Sequence, residues 1–110
     1  MDIVKIGKNV TVGNGNLAVL AGPCMAESLD ICLEVAEKMK ATCSKLGLGY
    51  VFKSSFDKAN RSSIHSVRGP GLEKGLEILA EVKRRFDVPV VTDIHESWQA
   101  APVAEVVDLL

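Results

Sequence analysis

The strongest constraint in this sequence is an alternation. Short runs that are apolar throughout are separated by longer stretches whose apolar residues recur at helical spacing. Leu17–Ala21 is one such run, as expected of a strand covered on both faces, and Gly22-Pro23 ends it. Ser28 stands as an N-cap, and Leu29, Cys32, Leu33, Ala36, Met39, Cys43 and Leu46 then repeat along one helical face until Gly47 and Gly49. Tyr50–Phe52 reads as a second strand, leading into a polar segment from Lys53 to Arg68. A second helix starts near Pro70-Gly71 and carries Leu72, Leu76, Leu79, Val82 and Phe86 on one side. Val88–Thr92 is a third strand, Ser97 is placed to cap a short helix through Ala104, and Val106–Leu110 begins a fourth strand. Ahead of all this, Ile3–Ile6 and Val10–Val12 flank Gly7-Lys8-Asn9 as a small hairpin. Gly13 and Gly15 make a G-x-G, but a strand follows it rather than the helix that a dinucleotide fingerprint needs.

Wholly apolar strands alternating with helices predict a parallel sheet with right-handed crossovers. Two architectures satisfy that pattern. One is a small open sheet; the other is the N-terminal portion of a TIM (β/α)8 barrel, with about four of the eight β/α units and fewer than half of the roughly 250 residues such barrels use. The last residues read as an apolar strand with no helix after it, and on this pattern alone the open sheet and the barrel fragment stand level.

Lys and Arg number 13 against 14 Asp and Glu, a net charge of −1 that gives no support for a broad nucleic-acid or membrane surface. The longest apolar stretch is far shorter than the roughly 20 residues that span a bilayer. The N-terminus lacks the basic-then-apolar pattern of a secretory signal, so a cytoplasmic location is expected. Three cysteines without CxxC spacing argue against a disulfide framework or a zinc knuckle. Cys32 and Cys43 lie among apolar neighbours and read as buried packing residues.

Ligands of α/β proteins gather beyond the carboxyl ends of the strands. Three segments fall there: Gly22–Glu27, Lys53–Arg68 and Asp93–Glu96. The second holds Lys53, Lys58, Arg61 and Arg68 against Asp57 alone, interleaved with Ser54, Ser55, Asn60, Ser62, Ser63 and Ser66. Ammonium groups offer point charge and guanidinium a planar fork, so the combination suits a phosphorylated or carboxylated small molecule. A solvated basic loop is the plainer alternative. Asp93 and His95 are placed to orient a hydroxyl or move a proton, or else to serve as a loop cap and a structural histidine. Cys24 offers a nucleophile or a soft metal ligand, or simply packs, while Glu27 favours the helix N-terminus.

The run Lys53-Ser54-Ser55-Phe56-Asp57-Lys58-Ala59-Asn60-Arg61-Ser62-Ser63 resembles the signature of the 3-deoxy-D-manno-octulosonate 8-phosphate synthase family. The likeness continues through Ile64–Gly71, Thr92–Glu96 and Gln99–Asp108. It implies a barrel, with residues 1–15 as a leading hairpin plug and residues 16–110 as the first part of the synthase domain. It also implies a homotetramer that joins phosphoenolpyruvate to arabinose 5-phosphate. By the same resemblance, Lys53, Ser55 and Lys58 contact phosphoenolpyruvate, and Asn60, Arg61 and Ser62 hold the sugar phosphate. Asp93 lies by the sugar hydroxyls, and Lys58, Asn60 and Asp93 are the catalytic candidates. Ala21-Gly22-Pro23-Cys24 resembles the metal-dependent members, so Cys24 is expected to ligate zinc, iron or manganese together with ligands from later strands.

Two other readings stand beside this one. The sister synthase, which uses erythrose 4-phosphate, typically has Lys-Pro-Arg-Thr where this chain has Lys58-Ala59-Asn60-Arg61-Ser62. A non-catalytic half-barrel module for anion binding or subunit interaction is the alternative of a different class.

Overall fold

Apolar runs become strands and helical repeats become the crossovers that join them. The computed structural model describes residues 2–13, 15–57 and 71–110. Val4–Ile6 (β1) and Val10–Val12 (β2) pair antiparallel with Val4 opposite Val12, and Gly7 takes the positive φ of 61° that the turn between them needs. Ala18–Ala21 (β3), Gly49–Lys53 (β4) and Val90–Val91 (β5) form a parallel sheet in that order.

Leu29–Leu46 (α1) connects β3 to β4. Ser28 Oγ accepts from the Ile31 N–H at 3.2 Å, and Gly47, at φ 72°, closes the helix with its N–H on Ser44 O. Leu72–Phe86 (α2) precedes β5 and buries Gly75, Ile78, Leu79 and Val82. Gly75 is required there, because a Cβ would overlap the Phe56 side chain beneath it.

Strand alternation sorts the core into two sides. Tyr50, Phe52 and Val90 pack under the helices with Cys32, Ala36, Leu79 and Val82. Val51 and Val91 point the other way and meet Ile6 and Val10 of the hairpin, with Ala18 and Leu109 alongside. The hairpin therefore covers the amino-terminal end of the sheet face opposite the helices; Asn9 Nδ2 donates to Asp87 O, and Gly49 abuts Val10. Among the described residues, no element of the hairpin covers the carboxyl-terminal end of that face.

The third strand is shorter than the run Val88–Thr92 suggested, since Pro89 has no N–H to give a ladder and contributes only its carbonyl, to Phe52 N at 2.9 Å. The fourth strand is reduced to a single parallel bridge between Val91 and Leu109. The expected cap at Ser97 is corrected to Glu96. Its carboxylate and the Gln99 amide form a capping box around the 3₁₀ turn Ser97–Gln99, which runs into Ala100–Ala104 (α3). No helix among the described residues is long and apolar enough to cross a membrane.

Asp108 anchors the start of β5. Its Oδ2 accepts from the Val90 N–H at 3.1 Å, and its Oδ1 pairs at 3.0 Å with Lys83 Nζ, which also donates to Val106 O. Val90 is fully buried, so an unpaired N–H there is costly. Asp108→Ala is expected to lower stability by about 1–3 kcal/mol, and Asp108→Asn by less, because the amide oxygen still accepts. Urea unfolding of the full-length protein measures both.

Candidate functional site at the carboxyl ends of the strands

The three parallel strands end in polar side chains that bond to one another's loops. Ser54 Oγ donates to Pro23 O at 2.8 Å, and Thr92 Oγ1 donates to Ser54 O at 2.8 Å. Both hydroxyls are buried. Ser55 Oγ donates to Asp93 Oδ1 at 2.6 Å, and its carbonyl accepts from Ala26 N at 2.8 Å. Segments after β3, β4 and β5 are thus tied into one rim.

By alternation, Lys53 and Ser55 follow Val51 on the open face, and Asp93 follows Val91. The Ser55–Asp93 hydrogen bond is direct proof that two of these meet. Lys53 is exposed and makes no ion pair among the described residues, so its ammonium group is available to an anion. Asp93, with half its side chain exposed, presents its second oxygen 3.8 Å from His95 Nε2. His95 Nε2 is also 3.0 Å from Asp57 O, and its ring packs at 6.0 Å against Phe56. Of the two readings of His95, the structure shows a side chain fixed by neighbours yet adjacent to a site carboxylate.

The β3–β4 ladder changes register at this rim. Ala21 is opposite Phe52, whereas the next bridge joins Met25 to Ser55, so Gly22, Pro23 and Cys24 face only Lys53 and Ser54. That extra residue is a bulge. Gly22 makes it possible, since a Cβ there would collide with the Lys53 carbonyl oxygen. Cys24, at the bulge, is exposed.

Sequence reasoning picked out Lys53, Ser55, Asp93 and Cys24, and the structure brings all four to the rim. Lys58, Asn60, Arg61 and Ser62, like Arg68, lie outside the described residues. The segment that carries them has its flanks joined, because Gly71 N donates to Phe56 O at 3.2 Å. The ties made by Ser54 and Thr92 went unread. Hydroxyls among apolar strand residues were the signal, but only the fold shows which carbonyls they reach.

Among the described residues no group of three or more His, Cys, Asp or Glu is close enough to hold a metal. The exposed thiol of Cys24 is a suitable soft donor, and it fits a metal as one ligand of a set completed by other residues. Cys32 and Cys43 lie on the buried face of α1, as expected. Burial pushes the Cys32 thiol up to about 11 and raises Tyr50 further, with Cys43 and Cys32 adding to the effect; the Tyr50 hydroxyl donates to Ala21 O at 2.7 Å.

Parallel β/α units with polar groups meeting at their carboxyl ends define an α/β protein of the architecture whose ligands gather at that end. The chain belongs to the DAHP synthetase I family, whose model matches residues 2–110. It is 52% identical over 107 residues to the 2-dehydro-3-deoxyphosphooctonate aldolase of Fusobacterium nucleatum, covering 97% of this chain and 38% of that protein. The protein of the same name from Chromobacterium violaceum is 56% identical over 108 residues, 97% of this chain and 38% of the relative. For that of Cyanothece sp. the figures are 52% over 108 residues, 97% and 40%. The chain thus spans about two fifths of the length of these curated relatives.

Thiol reactivity should follow this geometry. At pH 8 an alkylating reagent is expected to modify Cys24 and spare Cys32 and Cys43 in the native protein, as read by peptide mass mapping. Modification of Cys32 as fast as Cys24 would contradict the burial described.

Proposed function

We propose that this chain is the first part of a (β/α)8-barrel synthase that makes 3-deoxy-D-manno-octulosonate 8-phosphate from phosphoenolpyruvate, D-arabinose 5-phosphate and water. The observation that carries the reading is the convergence of Lys53, Ser55 and Asp93 on the open face at the strands' carboxyl ends. The names of the relatives support it.

In the proposed reaction, C3 of phosphoenolpyruvate bonds to the aldehyde carbon of the sugar, whose oxygen takes a proton and becomes a hydroxyl. Water adds at C2, and breakage of the C2–O bond releases inorganic phosphate. Both reactants are anionic, so cations must hold them together against their repulsion. Lys53 and Lys58, with Ser55, are assigned to phosphoenolpyruvate. Ser55 spends its one O–H on Asp93, so it serves that substrate by its place in the rim rather than by a hydroxyl hydrogen bond. Asn60, Arg61 and Ser62 are assigned to the sugar phosphate. Asp93 accepts from sugar hydroxyls, held in orientation by Ser55.

A divalent ion such as zinc, iron or manganese, bound in part by Cys24, would supply positive charge for polarising an oxygen. The remaining ligands are assigned to barrel strands after residue 110. Homotetrameric assembly, a cytoplasmic location and a place in lipopolysaccharide precursor synthesis complete the proposal. The sister reaction with erythrose 4-phosphate is disfavoured by Ala59-Asn60 between Lys58 and Arg61.

The full-length protein is expected to release phosphate faster with arabinose 5-phosphate than with erythrose 4-phosphate; the reverse order would reassign it to the sister reaction. Arg61→Ala should raise the KM for arabinose 5-phosphate roughly 10- to 100-fold, the loss of one or two charge-assisted hydrogen bonds. An unchanged KM would sink the assignment of the sugar-phosphate site.

A further inference from the structure

Asp93 and His95 lie beyond the end of β5, where ladder pairing no longer fixes the backbone, and Gln99 takes over that task. Its Oε1 accepts from the His95 N–H at 2.9 Å and from the Glu96 N–H at 3.1 Å. An amide oxygen has two lone pairs, so both bonds form at once. Gln99 is only 8% exposed, and two successive peptide N–H groups converging on this buried side chain set the path of the chain at His95. The imidazole is then held by its surroundings. Nε2 lies 3.0 Å from Asp57 O, and the ring packs on buried Phe56 with centroids 6.0 Å apart. Asp93 Oδ2 is 3.8 Å from the same nitrogen, too far for a hydrogen bond. Asp93 Oδ1 takes the Ser55 hydroxyl at 2.6 Å. The carboxylate is therefore clamped at one oxygen, while at the other it is flanked by a ring that limits its rotation without occupying it.

We propose that Gln99 is a positioning residue for Asp93: by fixing the backbone at His95 it sets the imidazole that, opposite Ser55, holds the carboxylate ready to accept from a sugar hydroxyl at Oδ2. The inference rests on the reading of Asp93 as a contact of the sugar. Gln99 touches no substrate in this scheme; it acts through His95. The residues assigned to phosphoenolpyruvate stand on the β4 side, so Gln99 serves one substrate and not the other.

The test is steady-state kinetics of the full-length protein with arabinose 5-phosphate and phosphoenolpyruvate varied in turn, circular dichroism reporting folding. Asp93→Ala tests the sugar contact itself and should raise the KM for arabinose 5-phosphate. Gln99→Met keeps the length of the side chain and removes the acceptor. It should raise that KM about tenfold, the worth of one hydrogen bond to a charged group, and leave the KM for phosphoenolpyruvate within about threefold of wild type. His95→Ala should do the same. The double variant should be no worse than the more impaired single one, because both changes act on one path. His95→Ala carries the test if Gln99→Met does not fold. A wild-type KM for arabinose 5-phosphate in Gln99→Met, or in His95→Ala where that variant stands in, alongside a rise in Asp93→Ala overturns the positioning role alone. Effects that multiply in the double variant overturn it too, as does an equal rise in both KM values, because general loosening would then explain them. A wild-type KM in Asp93→Ala removes the reading of Asp93 and the inference with it.

Discussion

The carboxyl end of the sheet depends on side-chain hydrogen bonds that reinforce the backbone pairing where the regular ladder is interrupted. Past Phe52 and Lys53, Ser54 reaches Pro23, Thr92 reaches Ser54 and Ser55 reaches Asp93, beside the backbone bonds that Ser54 and Ser55 still make to Val91 and Cys24. The hydroxyls fold that end into a rim. Because Ser54, Ser55 and Thr92 are buried, each hydroxyl would be costly to leave without its partner. A rim stitched in this way presents charge with little reorganisation on binding, which is what an electrostatic site requires.

The opposite end of the sheet serves stability. There the hairpin packs Ile6 and Val10 under Val51 and Val91, and Asp108 with Lys83 pins the start of β5. Among the described residues the same sheet face is thus apolar and closed at the amino ends of the strands, and polar at the carboxyl ends. Phe56 links the two roles: it is buried against Gly75 of α2 and the ring of His95, so the chain leaves β4 from a fixed point before reaching Lys58.

Much of the fold was legible because burial imposes period. Tyr50–Phe52 reads as a strand and is buried as one. Leu17–Ala21 reads as a strand covered on both faces, but β3 is half exposed. Ser28 and Gly47 mark the ends of α1 by capping chemistry that acts locally. Where neighbours in space decide, sequence reasoning fell short. Pro89 shortened β5, the last apolar run made one bridge rather than a strand, and Glu96 displaced Ser97 as a cap because Gln99 answers it. The site shows the same division. Lys53, Ser55 and Asp93 were readable from residue type, position after a strand and family likeness, while the bulge and its Ser54 tie follow from a one-residue register shift between two strands. Nothing local to either strand announces that shift.

The central claim is that the open carboxyl end of the sheet binds an anionic substrate through Lys53. Calorimetric titration of phosphoenolpyruvate into the full-length protein and its Lys53→Met variant addresses it most directly. The account predicts that affinity falls about tenfold or more in the variant, as expected for loss of a charge-assisted contact. Equal affinity in the two proteins would contradict it.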